Sequence, residues 1–253
     1  MFETKSEKEI ELMRKSSRIV AEVLKVIGSN IRAGVSTKEL DEIAEDFIRS
    51  KGAEPAFKGY GHDARNLFPS SICASVEDEV VHGIPSVRKL QEGEIISIDV
   101  GVKLNGFFGD GAETFAVGNI SSEKEKLMDA TKESLDLALK VAVAGNTVGD
   151  IGFAIQSYIE SKGFSVVRDL VGHGVGKELH EEPSIPNYGR ARQGLTLKKG
   201  MTIAIEPMIN AGSYKVKTDK DGWTVRTQDG KPSAHFEHTV VVRNDRAEIL
   251  TII

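Results

Sequence analysis

Five side chains in this sequence have the type and placement to hold metal: Asp99, Asp110, His173, Glu206 and Glu237. Ile96, Ile98, Val100 and Val102 alternate along residues 94–102, so Asp99 falls on the opposite face with Ile95, Ser97 and Gly101. The same alternation over residues 201–207 sends Ile203 and Ile205 one way and Glu206 the other. Residues 107–117 read as a second strand, carrying Asp110 among Gly109, Gly111 and Ala112; residues 235–242 read as its counterpart, carrying Glu237. Four carboxylates aimed at one another cannot all stay ionised without a cation, because like charges raise one another's pKa. Two divalent metals remove that repulsion. His173, between Gly172 and Gly174, adds a nitrogen ligand where the backbone can come close. An oxygen-rich donor set with one imidazole suits Mn, Fe(II), Co or Zn better than a structural thiolate zinc. Two such metals roughly 3.5–4 Å apart turn a bridging water into hydroxide near neutral pH, which attacks a polarised carbonyl. The expectation is a metal-dependent hydrolase. Singly, each carboxylate is an ordinary turn or surface residue, and His82 or His173 an ordinary packed or loop histidine. The joint pattern is what carries the reading.

The elements that must position these residues come in duplicate. Ala33-Gly34-Val35-Ser36-Thr37-Lys38-Glu39-Leu40 is echoed by Ala144-Gly145-Asn146-Thr147-Val148-Gly149-Asp150-Ile151. In the same register, residues 47–52 match residues 158–163, each ending on a glycine, Gly52 and Gly163, where a helix should stop. Ser36 with Glu39 reads as a capping box. An amphipathic helix precedes each copy, marked by Ile10, Met13, Val20, Val23, Leu24 and Ile27, and by Leu127, Leu135, Leu139 and Val143. A second match aligns His82-Gly83-Ile84-Pro85, Leu90-Gln91-Glu92-Gly93 and a strand ending in Asp99 with His180-Glu181-Glu182-Pro183, Leu197-Lys198-Lys199-Gly200 and a strand ending in Glu206. Two halves, about 1–118 and 119–253, are therefore expected to be related by a pseudo-twofold. Each contributes two helices and then strands to an α+β fold with helices outside one sheet. No Pro/Ser-rich linker divides them, so residues 1–253 are expected to form one catalytic domain.

Composition bounds the remaining classes. The chain has 253 residues, 40% apolar and 28% charged, as in an ordinary folded protein. A net charge of -5 without a Lys/Arg block argues against a nucleic-acid function. Cys73 is the one cysteine, which fits a reducing compartment. No signal-peptide stretch precedes the charged first twenty residues, and no apolar run approaches the roughly 18 residues of a membrane span. The expectation is a cytoplasmic protein with no membrane association.

The chain resembles the type I methionine aminopeptidases over nearly its whole length. The strings that carry the resemblance are residues 75–85 with His82-Gly83-Ile84-Pro85, then Ile98-Asp99-Val100 and Gly109-Asp110. In the second half they are Gly172-His173-Gly174-Val175-Gly176 through His180-Glu181-Glu182-Pro183, Ile205-Glu206-Pro207-Met208, and Glu237-His238-Thr239-Val240. The resemblance implies the pita-bread fold, a curved, mainly antiparallel sheet in pseudo-symmetric halves. It implies Asp99, Asp110, His173, Glu206 and Glu237 as ligands of two divalent ions (Co, Mn, Fe(II) or Zn), Asp110 and Glu237 bridging. Glu206 would move protons to and from the bridging water. His180 would polarise the scissile carbonyl, and His82 would contact the peptide nitrogen side. The methionine pocket falls on Phe57, Tyr60, Phe68, Cys73, Leu179 and Trp223, an apolar slot suited to a thioether. The activity implied is removal of N-terminal methionine from nascent polypeptides with a small second residue. A monomer is expected, and a ribosome contact is left open. The chain departs from the family pattern at Glu77, where Asn is common, and at Gly111, where Thr or Ala is frequent. It departs again at residues 61–67, a longer connection in which His62 is expected to be exposed.

Two rivals stand beside this reading. Prolidase and aminopeptidase P share the metal pattern but usually carry a further N-terminal domain, whereas only about ninety residues precede the first ligand strand here. The absence of a long insert between His180 and Glu206 argues against the type II enzymes. A non-catalytic pita-bread binding module would have lost ligands, and here all five positions and both histidines are intact.

Overall fold

The computed structural model describes residues 4–61 and 63–253, so the expectation for His62 lies outside the described residues. Four helices form where the repeat places them: α1 (Glu7–Asn30), α2 (Thr37–Ser50), α3 (Ser122–Val141) and α4 (Val148–Ser161). Each begins at a hydroxyl residue whose oxygen accepts a backbone N–H three places on: Ser6, Ser36, Ser121 and Thr147. Three of these caps are reciprocal boxes, closed by Glu9, Glu39 and Asp150. Gly52 and Gly163 follow α2 and α4 with φ of 70° and 82°. Val143 lies beyond the end of α3 and is only half-buried, so the helical spacing that includes it runs two residues too far.

Every strand pair among the described residues is antiparallel. In the first half, Ile95–Leu104 and Phe107–Ala116 form a hairpin, flanked by Cys73–Val76 and Glu54–Pro55. In the second, Thr202–Ile205 lies between His238–Val241 and Gly172–Gly174. Ile96, Ile98, Val100 and Val102 are fully buried against Val20, Val23 and Ile27 of α1 and against α2. Ile203, Ile205, Val240 and Val242 do the same beneath α3 and α4. Two helix pairs thus cover one side of the strands and leave the other to the carboxylates.

The sheet expected to be single is divided into sheets of four and five strands and two of three. One division falls at the chemistry. Met208 pairs with His235 and Ile205 with His238, in the same register, yet the ladder between them lapses at Glu206-Pro207 and Phe236-Glu237. The strand read over residues 235–242 is therefore two strands, Ser233–His235 and His238–Val241. Pro207 has no N–H to give, and the remaining bond, from the Phe236 amide to the Pro207 carbonyl, is long at 3.5 Å.

The halves meet where Phe107–Ala116 runs beside residues 235–241. One backbone bond crosses directly, from the Glu237 amide to the Ala112 carbonyl (2.9 Å). On either side a threonine hydroxyl spans the gap. Thr239 accepts from the Asp110 amide (3.1 Å) and donates to the Asp110 carbonyl (2.7 Å). Thr114 accepts from the His235 amide (2.9 Å) and donates to the His235 carbonyl (2.8 Å). All four residues are buried. Thr239→Val keeps the shape but strands a buried amide and a buried carbonyl, so it should cost about 2–5 kcal/mol in denaturant unfolding. A loss below about 1 kcal/mol would contradict this account of the seam.

Candidate metal centre

Asp99 pairs with Cys73 on one side and Ala112 on the other, and Gly101 pairs with Asp110. Opposed residues share a face, so Asp99 and Asp110 look the same way, offset by one pleat. In the second half the register of Ile205 with His238, carried one residue on, puts Glu206 opposite Glu237. His173 sits on the three-residue strand wedged between its neighbours. A side chain at Gly172 would meet the Ala204 carbonyl at 2.4 Å, and one at Gly174 the Glu182 carbonyl at 2.4 Å, so only glycine lets these strands close around the histidine.

The imidazole of His173 is oriented by its own strand. Nδ1 lies 2.8 Å from the Gly174 carbonyl, which can only accept, so Nδ1 carries the proton and the Nε2 lone pair is free to ligate. Nε2 stands 3.8 Å from Asp110 Oδ2 and 3.6 Å from Glu206 Oε1. Ligand atoms of Asp110, His173 and Glu237 lie within 4.8 Å of one another. Asp99 Oδ1 and Glu237 Oε1 are buried without a hydrogen-bond partner among the described residues. An oxygen-rich donor set with buried, unpaired carboxylate oxygens and a lone pair held ready fits a divalent cation.

The electrostatics point the same way. Burial pushes Asp99 up to about 7. It pushes Asp110, Glu206 and Glu237 well above the usual carboxylate range, with help from the neighbouring negative charges. Burial also holds His82 and His173 down at about 4. These are groups that cannot be charged together except around added positive charge.

One cavity of about 100 Å³ collects every candidate residue: the five ligand candidates with His82, His180, Phe57, Tyr60, Phe68, Cys73, Leu179 and Trp223. That volume is of the order that takes a benzene-sized group, roughly 150 Å³ in an engineered core. Phe57 and Phe68 meet edge to face at 6.5 Å, and Phe68 and Trp223 at 5.3 Å. Trp223 is fastened by its indole N–H to the Asn66 carbonyl (3.1 Å), and the Asn66 side chain donates to the Asp221 carbonyl (3.1 Å). Asn66 of the long connection thus braces the pocket rim. The Tyr60 hydroxyl is 2.5 Å from His180 Nδ1, and the His180 ring lies 4.2 Å from that of His173. His82 occupies a left-handed backbone position, φ 59°, uncommon outside glycine although histidine is among the residues enriched there.

Glu77 also sits at positive φ, 61°, where Asn is more at home. Its carboxylate accepts from the Ile95 amide (2.8 Å) and from Lys124 Nζ (2.6 Å), which accounts for the glutamate. Gly111 leaves a gap that Val20 and Thr251 approach to 3.1 and 3.3 Å of a would-be Cβ, so a larger residue would press on both. His235 is the residue missed by the sequence reading. It is buried, two places before Glu237 on the same face, with Nε2 3.7 Å from Glu206 Oε2. The period-two alternation through residue 237 was the signal that could have found it.

The model of metallopeptidase family M24 matches residues 11–244. The chain is 53% identical over 251 residues to methionine aminopeptidase 1 of Bacillus subtilis, covering 99% of each. It is 52% identical to the methionine aminopeptidase of Clostridium perfringens, covering 100% of each. Its fold superposes on the crystal structure of methionine aminopeptidase from Rickettsia prowazekii with a TM-score of 0.96, at 43% identity over 100% of both chains.

The raised carboxylates make a pH prediction for chelator-treated protein. A group with a raised folded pKa stabilises the fold below its unfolded value and loses that contribution as pH rises through the folded value. Asp99 crosses at about 7, and Asp110, Glu206 and Glu237 are shifted in the same direction. The thermal midpoint should therefore rise by about 3 °C or more as pH falls from 8.5 to 7. Below about 6.5 the rise should level off, because His82, His173, His235 and His238 stay neutral when folded but protonate when unfolded and so offset the carboxyl contribution. Restoring Mn should flatten the profile between pH 7 and 8.5. A midpoint that falls between pH 8.5 and 7 in the chelated protein would contradict the crowding account.

Proposed function

The chain belongs to metallopeptidase family M24, and from that premise we propose that it is a type I methionine aminopeptidase removing the initiator methionine from nascent proteins with a small second residue. The observation that supports this most is the meeting, in one cavity, of an apolar slot with five donor side chains and two histidines. No helix among the described residues is long and apolar enough to cross a membrane. We read residues 1–253 as one catalytic domain, monomeric and cytoplasmic, acting on nascent N-termini.

Asp99, Asp110, His173, Glu206 and Glu237 would hold two divalent ions, drawn from Mn, Co, Fe(II) and Zn. When bound, such a pair supplies Lewis acidity and lowers the pKa of a coordinated water. The chain does the rest. Phe57, Tyr60, Phe68, Cys73, Leu179 and Trp223 surround the methionine side chain, where aromatic edges and a buried thiol favour a thioether. In the tautomer in which Nδ1 of His180 accepts from the Tyr60 hydroxyl, Nε2 carries the proton and acts as the donor to the scissile carbonyl oxygen, where negative charge develops. His82 lies on the peptide-nitrogen side, held neutral by burial. Glu206 takes up the proton of the attacking water and delivers it to the departing amine, so the peptide bond breaks as an amine leaves and a carboxylate forms.

Purified protein should release free methionine from Met-Ala-Ser, lose that activity on chelation and regain it with Mn or Co. Folded protein that releases none under any metal condition would overturn the reading, and an Ala-Pro peptide would then test for a proline-specific peptidase. Glu206→Ala should abolish turnover, whereas wild-type turnover in that variant would sink its assignment. His82→Ala should lower kcat/KM by roughly 10²-fold with bound metal unchanged. Metal loss in that variant would instead make His82 a ligand.

A further inference from the structure

His235 has no part in the chemistry described so far, yet its position is hard to explain without one. The residue is 1% exposed, and its Nε2 is buried without a hydrogen-bond partner among the described residues. An imidazole nitrogen left unpaired in a core is costly, so it calls for a partner close by. The nearest candidate is Glu206, whose Oε2 lies 3.7 Å away. The other oxygen of the same carboxylate, Oε1, lies 3.6 Å from His173 Nε2. The two histidines therefore flank Glu206, one at each oxygen. They differ in access: His173 lines the cavity with Glu206, whereas His235 does not. His235 stands behind the carboxylate.

Its own backbone is fixed. The amide donates to Thr114 Oγ1 and the carbonyl accepts from the same hydroxyl, so the main chain that carries the ring is tied to the seam between the halves. Glu206 is the softer partner, because the ladder lapses at Glu206-Pro207 and no regular strand pairing holds that turn of chain.

We propose that His235 is a positioning residue for Glu206. Standing 3.7 Å away, its Nε2–H is placed to donate to Oε2 from behind once Glu206 is ionised around metal, which sets the rotamer of the carboxylate and leaves Oε1 directed at the metal-binding side of the cavity. This rests on Glu206 being a metal ligand as read above. Partners of this kind behind a ligating carboxylate typically carry 10–100-fold in metal affinity or activity.

The test compares His235→Leu with His235→Gln, which restores an N–H donor of similar reach, by calorimetric titration of Mn into chelated protein. His235→Leu should weaken Mn binding by about 10-fold and lower kcat on Met-Ala-Ser with KM little changed. Its metal-free thermal midpoint should hold or rise, because an unpaired buried nitrogen is gone. His235→Gln should bring the Mn affinity back to within about threefold of wild type. Wild-type Mn affinity in His235→Leu would overturn the inference. A weakened His235→Leu that glutamine does not rescue, with one equivalent of Mn lost, would also overturn it by making His235 a ligand. Wild-type protein that takes up no Mn would overturn the metal reading and this inference with it.

Discussion

Four carboxylates share one buried face, and the fold is arranged around keeping them there. Asp99, Asp110, Glu206 and Glu237 come from strands that have no other reason to bring like charges together. Burial pushes all four toward the protonated form, neighbouring negative charge adds to it at Asp110, Glu206 and Glu237, and two of the four leave oxygens unpaired. Such a cluster is unfavourable in isolation and becomes favourable around divalent cations. The helices stand outside and the apolar strand faces look toward them, so the polar faces are left to converge.

Duplication gives that convergence its geometry, but the halves are not copies in detail. The first half holds its carboxylates on an unbroken hairpin, one pleat apart. The second sets Glu206 and Glu237 opposite each other at a gap in the ladder made by Pro207. The first pair is held by continuous backbone pairing, and the second by single bonds, from the Glu237 amide to the Ala112 carbonyl and from the Asn187 side chain to the Glu206 carbonyl (2.9 Å). Thr114 and Thr239 then lock the two halves in register with their hydroxyls, directly beside the ligand positions.

The carboxylate strands were legible because period two is a local property: Ile96, Ile98, Val100 and Val102 face the core, which leaves one face for Asp99. The helix pairs were legible through their caps: Ser36-Glu39 forms the reciprocal bonds its spacing suggests, and the structure adds Thr147-Asp150 as its counterpart. Other features depend on contacts that a single strand does not announce. The break at Pro207 looked like a strand end, because its effect falls on Phe236, twenty-nine residues away. His235 reads as one more strand residue until Glu206 is found 3.7 Å from its ring. The glutamate at position 77 makes sense only with Lys124, which belongs to the other half. The resemblance to a known family supplied the roles of His82 and His180, which composition and periodicity alone left open.

The most direct test is diffraction from crystals of this protein grown with Mn, recorded near the Mn absorption edge. The account predicts two anomalous peaks roughly 3.5–4 Å apart, with Asp110 and Glu237 reaching both and His173 reaching one. Peaks away from these five side chains, or none at saturating Mn, would contradict the claim that the buried carboxylates exist to hold a pair of metals.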